Sequence, residues 1–174
     1  MTVTLAILGD THIPSRTSSV PAWVRERVRD ADHVVHAGDF SSLEAYRRVD
    51  DLAGGELTAV SGNDDPPELD LPAVDTFERG GVEFVLTHGT GGTEGYERRI
   101  LEVVGAHGSA DAVGVSGHTH EPLDAFVGGH RLLNPGSATG AHPASEPTMM
   151  TATVEDGDLA VSLRRESDET AATD

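Results

Sequence analysis

Five short stretches place a glycine beside a residue that can bind a metal ion. They are Gly9-Asp10 with His12, Gly38-Asp39, Gly62-Asn63 with Asp65, His88-Gly89, and Gly117-His118 with His120. Carboxylate, imidazole and amide make a mixed nitrogen and oxygen donor set. Such a set suits Mn, Fe, Zn or Ni better than Mg or Ca, which prefer oxygen alone. The donors exceed what one ion needs and suit two ions sharing a bridging carboxylate. Singly, each stretch has an ordinary reading. Gly-Asp and Gly-Asn are common turn dipeptides, and a histidine after a strand is usually structural. Order and placement lift the set, because each group closes a predicted strand.

Those strands follow from hydrophobic patterning. Val3 to Leu8 is a nearly continuous apolar run broken by Gly9-Asp10, which reads as a buried strand ending at a loop. Ser19 and Pro21 mark a helix start, with Val24, Val28 and Ala31 at helical spacing. His33 to His36 and Leu57 to Val60 are further short strands, separated by a helix over Ser42 to Leu52. This β-α-β-α-β order implies parallel strands, whose C-terminal ends gather at one crevice. Val74 to Phe77 and Val82 to Leu86 pair around Gly80-Gly81, and a helix spans Tyr96 to Val104. Ala112 to Val115, Leu123 to Val127, His130 to Leu133, Met149 to Val154 and Leu159 to Leu163 complete a β-rich end, with a hairpin turn at Asp156-Gly157. The Gly-rich 89–95 stretch reads as a flexible loop, with phosphate cradling as the alternative. One domain over 1–165 is expected, followed by a frayed, disordered acidic tail over 166–174.

The ordered series Gly9-Asp10-Thr11-His12, Gly38-Asp39, Gly62-Asn63-Asp64-Asp65, His88-Gly89 and Gly117-His118-Thr119-His120 resembles the calcineurin-like metallophosphoesterases. The short chain, His36-Ala37-Gly38-Asp39 and Asn134-Pro135-Gly136-Ser137 are similar to the small YfcE-type phosphodiesterase branch. The resemblance covers about Val3 to Ser137. It implies an α/β (α+β) fold, a four-layer αββα sandwich of two mixed β-sheets. It puts Asp10, His12, Asp39 and His120 on one metal ion. Asp39 bridges, and Asn63, His88 and His118 complete the second site. Two such ions, manganese first and nickel, iron or zinc next, hold a hydroxide for in-line attack on phosphorus. Metal binding brings the pKa of water from 15.7 towards about 7.

Two positions depart from the family's pattern. Many relatives carry a histidine directly after the Asn of the third motif to protonate the leaving group; here that position is Asp64. Asp39, Asn63 and Asp64 are the catalytic candidates. Thr90 stands where relatives commonly have a second histidine near His88-Gly89. Asp65 is expected to support backbone, and His36 to buttress the Asp39 loop without ligating. His33, His107 and His130 read as peripheral. Relatives often hold phosphate with an arginine after the Asn-Pro-Gly-Ser motif, and His142 is the only candidate stand-in for it.

Composition bounds the rest. A chain of 174 residues suffices for one domain that buries roughly 70% of its unfolded surface. There is no Cys, so disulfides, thiol nucleophiles and Cys-ligated zinc are excluded. No apolar run approaches the roughly 18 residues of a membrane span, and Met1 to Leu5 lacks a basic leader, so the cytoplasm is expected. All 12 basic residues are Arg, against 30 acidic ones, for a net charge of −18. The acids are spread along the chain, which reads as adaptation to a salt-rich cytoplasm; an acidic partner-binding face is the alternative. Duplex nucleic acid is not expected as a partner. A binuclear metal phosphodiesterase acting on a small phosphate ester is the first functional reading, with a homo-oligomer compatible. A phosphomonoesterase and a catalytically silent metal-binding interaction scaffold are the others.

Overall fold

The structure, a computed structural model, describes residues 1–171. Ten strands form two five-stranded mixed sheets. The strands are β1 (Val3–Leu8), β2 (His33–His36), β3 (Leu57–Ala59), β4 (Val74–Arg79), β5 (Val82–Thr87), β6 (Val113–Val115), β7 (Leu123–Val127), β8 (His130–Asn134), β9 (Thr148–Glu155) and β10 (Asp158–Arg165). The helices are α1 (Ala22–Asp30), α2 (Leu43–Ala53), α3 (Tyr96–His107) and α4 (Glu166–Ala171). The first sheet runs β10-β9-β1-β2-β3 and the second β4-β5-β6-β8-β7. As expected, β1, β2 and β3 are parallel, with Leu8 opposite His36 and His36 opposite Ala59. β5 and β6 are also parallel.

Alternation along the strands builds the layers. Leu5 and Ile7 of β1 face the second sheet and meet Val82, Phe84, Leu86, Val115 and Leu133 in a core between the sheets. Ala6 and Leu8 point the other way, onto Val24 and Val28 of α1 and Val49 of α2. Val85 of β5 and Leu132 of β8 face Ile100 and Val104 of α3. The result is the expected αββα sandwich. Each large apolar side chain so buried contributes about 1.5–3 kcal/mol.

Local signals set the ends. The Ser42 hydroxyl accepts the Ala45 N–H and caps α2, and Gly54 in the left-handed region closes it. The β4–β5, β7–β8 and β9–β10 hairpins turn on Gly80-Gly81, Gly128-Gly129 and Asp156-Gly157, all with positive φ. Two-residue turns of that kind match the twist of the strands they join.

The C-terminal segment corrects the sequence reading. Residues 166–171 are not a frayed tail but the short helix α4, docked on α1. Trp23 Nε1 donates to the Glu166 carboxylate, Arg27 pairs with Glu169 at 3.0 Å, and the Glu166 N–H reaches the Pro147 carbonyl. The tail's own polarity hid this, because the partners lie far back in the sequence. The rest of the expected tail, 172–174, lies outside the described residues. Among the described residues, no helix is long and apolar enough to cross a membrane.

Candidate metal centre

The loops after β1, β2, β3, β5 and β6 meet at one end of the sandwich. Because β1 and β2 run side by side, their exit loops zip together: Asp10 N–H donates to Gly38 O and His12 N–H to Asp39 O, both at 3.0 Å. The second sheet joins through Gly117 N–H to His88 O at 3.1 Å. The His118 N–H then reaches the Asp10 carboxylate at 3.0 Å, tying the two sheets together at the site. Close approach demands the glycines here. A Cβ on Gly62 would lie 2.1 Å from Asp39 Oδ1.

The donors gather as two buried to half-buried groups. Asp10, His12 and His120 have ligand atoms within 4.8 Å of one another, and so do Asp39, His88 and His118. Asp39 Oδ2 lies 3.5 Å from His12 Nε2 and 3.1 Å from His88 Nε2, so one carboxylate reaches both groups. Asn63 Oδ1 is 3.1 Å from His88 Nε2 and 3.0 Å from His118 Nδ1.

Tautomers show what the cluster needs. His88 Nδ1 donates to Ala37 O at 2.7 Å, His120 Nδ1 to Ala141 O at 2.8 Å, and His118 Nε2 to Gly91 O at 2.8 Å. Carbonyls only accept, so in its neutral form each of these rings turns its other nitrogen, a lone pair, inward. His12 Nδ1 faces the Asp64 carboxylate at 2.9 Å and does the same. Inward, those lone pairs meet carboxylate and amide oxygens and each other; His12 Nε2 and His120 Nε2 are 3.2 Å apart. Acceptors facing acceptors in a buried space require cations. Among the described residues, Asp10 and Asp39 form ion pairs with histidines only. The donor set therefore fits divalent metal ions, with each imidazole oriented from behind.

The carboxylate charge is strong enough to favour a proton on two of these rings. Burial works to lower the pKa of His12, but bonds to Asp10 and Asp64 and the charge of Asp39 outweigh it, and the net shift is upward. His88 follows the same pattern, with burial opposed by its bond to Asp39 and the charge of Asp10. Burial wins at His120, whose pKa falls. Asp39 is held below the carboxylate range, because the bond and charge of His88 overcome its burial.

All seven expected ligands thus come together. Asp64, the residue at the position of the family's leaving-group histidine, lies beside them. Its carboxylate lies on the outer edge of His12 and takes the Ser41 and Ser15 hydroxyls as well. Burial would raise its pKa, but those bonds lower it on balance, so it is ionised and donates no proton. Asp65 accepts the backbone N–H groups of Asp39, Gly62 and Ser41, a clamp on the loop as expected. His36 stacks on Phe40 at 3.6 Å, accepts the Gly38 N–H and donates to Thr11, so it buttresses the Asp39 loop. The exposed His142 offers its carbonyl to Arg16. His33 binds Thr58 and His130 binds Ala112 O, both away from the cluster.

Sequence reasoning missed three things. Ser41 tethers Asp64. Asn134 binds Tyr96 OH, Gly117 O and Thr119, so the Asn-Pro-Gly-Ser segment holds the loop carrying His118 and His120 from beneath. The third is strain: Asp10, His12, Asp39, Ser41, His118 and His120 all have positive φ, which costs of order 1–3 kcal/mol each and concentrates at functional sites. Asp, Asn and His tolerate that region better than most residues; the Asp and His types at the site were the available signal.

Residues 3–157 match the calcineurin-like phosphoesterase superfamily domain. A probable metallophosphoesterase of Methanothermobacter thermautotrophicus is 35% identical over 136 residues, 78% of this chain and 77% of the relative. A phosphodiesterase of Methanocaldococcus jannaschii is 28% identical over 151 residues, 78% of this chain and 84% of the relative. The crystal structure of Vps29 from Entamoeba histolytica complexed with Zn²⁺ is 26% identical with a TM-score of 0.71, covering 93% of this chain and 97% of that one.

Proposed function

The chain belongs to the calcineurin-like phosphoesterase superfamily, and on that premise we propose that it is a phosphodiesterase working with two divalent transition-metal ions. One observation carries the reading: four imidazoles, in their neutral form, turn lone pairs onto two carboxylates and an amide oxygen, and among the described residues those two carboxylates form ion pairs with histidines only. In this reading Asp10, His12, Asp39 and His120 hold one ion. Asp39, Asn63, His88 and His118 hold the other, and Asp39 is shared. When bound, such ions supply Lewis acidity to phosphoryl oxygens and acidify water to a pKa near about 7, so no Ser or Cys nucleophile is needed. The mixed donors favour manganese, with nickel, iron or zinc as substitutes.

The protein's own residues orient and select. Ala37 O, Ala141 O, Gly91 O and Asp64 each fix one imidazole tautomer. Asp39 keeps its charge and spans both groups. Asp64, ionised and engaged by His12, leaves the site without the proton donor that a poor leaving group needs. Its negative charge also opposes a dianionic monoester more than a monoanionic diester. Both effects favour small diesters with acidic leaving groups, in keeping with the relative named a phosphodiesterase. The acid-rich, Lys-free surface supports a salt-rich cytoplasm as the setting.

The test is turnover of an aryl phosphodiester against an aryl phosphomonoester, in high salt. Protein stripped by chelator should be inactive, and Mn²⁺ or Ni²⁺ should restore diester turnover before Mg²⁺ does. Undiminished turnover without metal overturns the mechanism. Faster monoester turnover selects the phosphomonoesterase. Metal binding with no turnover of either ester selects the interaction scaffold.

A further inference from the structure

Three of the four imidazoles are oriented from well-ordered ground. Ala37, whose carbonyl holds His88, follows β2 and is fully buried, and Ala141, which holds His120, is 1% exposed. Asp64, behind His12, belongs to the clamped loop after β3. His118 differs. Its Nε2–H is held by Gly91 O, at the middle of the exposed 89–95 loop. Four of those seven residues are glycine. Glycine loses the most conformational freedom on ordering, so such a loop does not hold its own shape.

One side chain grips it at three points. Arg99, in the first turn of α3, folds back over the loop. Its Nη1 donates to Glu94 O at 3.1 Å, and its Nη2 donates to Gly92 O at 2.7 Å and Gly89 O at 3.2 Å. The guanidinium sits 5.8 Å over the Tyr96 ring. Tyr96 is itself fixed by bonds to Ser116 and Gly117 O beside His118. Gly91 takes φ +136°, and a Cβ there would lie 2.9 Å from Arg99 Cζ, so the loop backbone lies directly on the guanidinium. Bonds from a charged, planar fork to three carbonyls are the strong kind, and lysine cannot reproduce that geometry.

We propose that Arg99 is a positioning residue for the metal centre: by strapping the 89–95 loop it presents Gly91 O to His118, fixes the Nε2–H tautomer of that ring, and thereby sets the affinity of the Asp39–His88–His118 half of the site without touching the Asp10–His12–His120 half. The proposal rests on the two-ion reading above. It makes the two half-sites unequal in kind. In one, both imidazoles are held by buried or clamped segments; in the other, His88 is so held but His118 depends on a single removable strap. Loss of the strap leaves a folded protein that holds one ion as before and the other more weakly.

The test uses the full chain stripped of metal, in wild-type, Arg99→Gln and Arg99→Lys forms, titrated with Mn²⁺ by calorimetry. Arg98→Gln, a change to an exposed neighbour that pairs with Glu102, is the control. Wild type and Arg98→Gln should bind two ions alike. Arg99→Gln should keep one affinity within about 2-fold and lose about 10–100-fold in the other, the usual cost of removing an orienting partner. Arg99→Lys should not restore it. Nitrogen NMR of the metal-free protein gives an independent readout: His118 should be the Nε2–H tautomer in wild type and a mixture in Arg99→Gln. Unchanged affinities with an unchanged tautomer overturn the proposal. So does an equal loss at both sites with a lowered melting temperature, which would make Arg99 a general stabiliser. Wild type binding a single ion would overturn the two-ion reading instead, and the His118 tautomer would still decide whether the strap exists.

Discussion

At the scale of single residues, Asp64 carries the most consequence. Its carboxylate lies 2.9 Å from His12 Nδ1, on the ring edge opposite the cluster. A carboxylate there holds the imidazole in one tautomer and makes its inward nitrogen a better donor. Asp64→Ala should weaken the ion held by His12 by about 10–100-fold. Asp64→Asn should be milder, because an amide oxygen can accept the same N–H. Manganese titration of the stripped variants checks this, and an alanine variant with wild-type affinity would show that His12 needs no such partner. The sequence marked Asp64 as the departure from the family pattern and as a candidate to act at the leaving group. Nothing in the linear order reveals that Ser15 and Ser41, from two other loops, draw it to the other side of His12.

At the scale of elements, β2 illustrates both what could be read and what could not. The four residues His33 to His36 were legible as a strand because a short apolar core ends at a glycine and a ligand-type residue. The same logic found β1, β5 and β6 and placed seven donors at strand ends. It could not find α4, whose partners Trp23 and Arg27 are remote in sequence, nor the Arg99 strap, because loop carbonyls carry no sequence signature. His36 itself gives a pH prediction. Burial pushes its pKa down to about 3, with the charge of His88 acting in the same direction. An unfolded chain takes up this proton below about 6.5, whereas the folded one refuses it until about 3. His36 is therefore neutral and without effect above about pH 6.5, and it erodes stability as pH falls below that. The slope is at most about 1.4 kcal/mol per pH unit. His36→Asn removes the titration and retains an acceptor for the Gly38 N–H. In denaturant melts with chelator present, the stability advantage of wild type over His36→Asn should shrink from pH 7 to pH 4. A constant gap would mean that His36 takes up its proton as readily in the fold as in the unfolded chain.

At the scale of the whole molecule, the charge of −18 acts on everything else. Several of the 12 arginines are already committed inside the structure. Arg99 is spent on loop carbonyls, Arg131 on Asp124 and Arg27 on Glu169. Among the described residues, arginines form ion pairs with only five carboxylates, those of Glu44, Glu56, Glu102, Asp124 and Glu169, so the acids stay in large excess. Their repulsion reaches about 10 Å at 0.1 M salt and about 3 Å at 1 M. The folded state concentrates that charge and the unfolded chain disperses it, so screening should favour the fold. The melting temperature of the metal-free protein should rise steadily from about 0.1 M to about 1 M KCl, by about 2–4 °C for each kcal/mol of repulsion relieved. Working with chelator and a monovalent salt separates this from loading of the metal centre, which stabilises by binding. If the acids instead form one dedicated partner face, neutralising a few of them on that face would remove most of the salt dependence. If they act as a dispersed field, neutralising any two distant pairs should lower the slope by similar amounts. Glu68 with Asp70 and Glu155 with Asp158 are such pairs, and a melting temperature flat across the salt range would rule out the dispersed field.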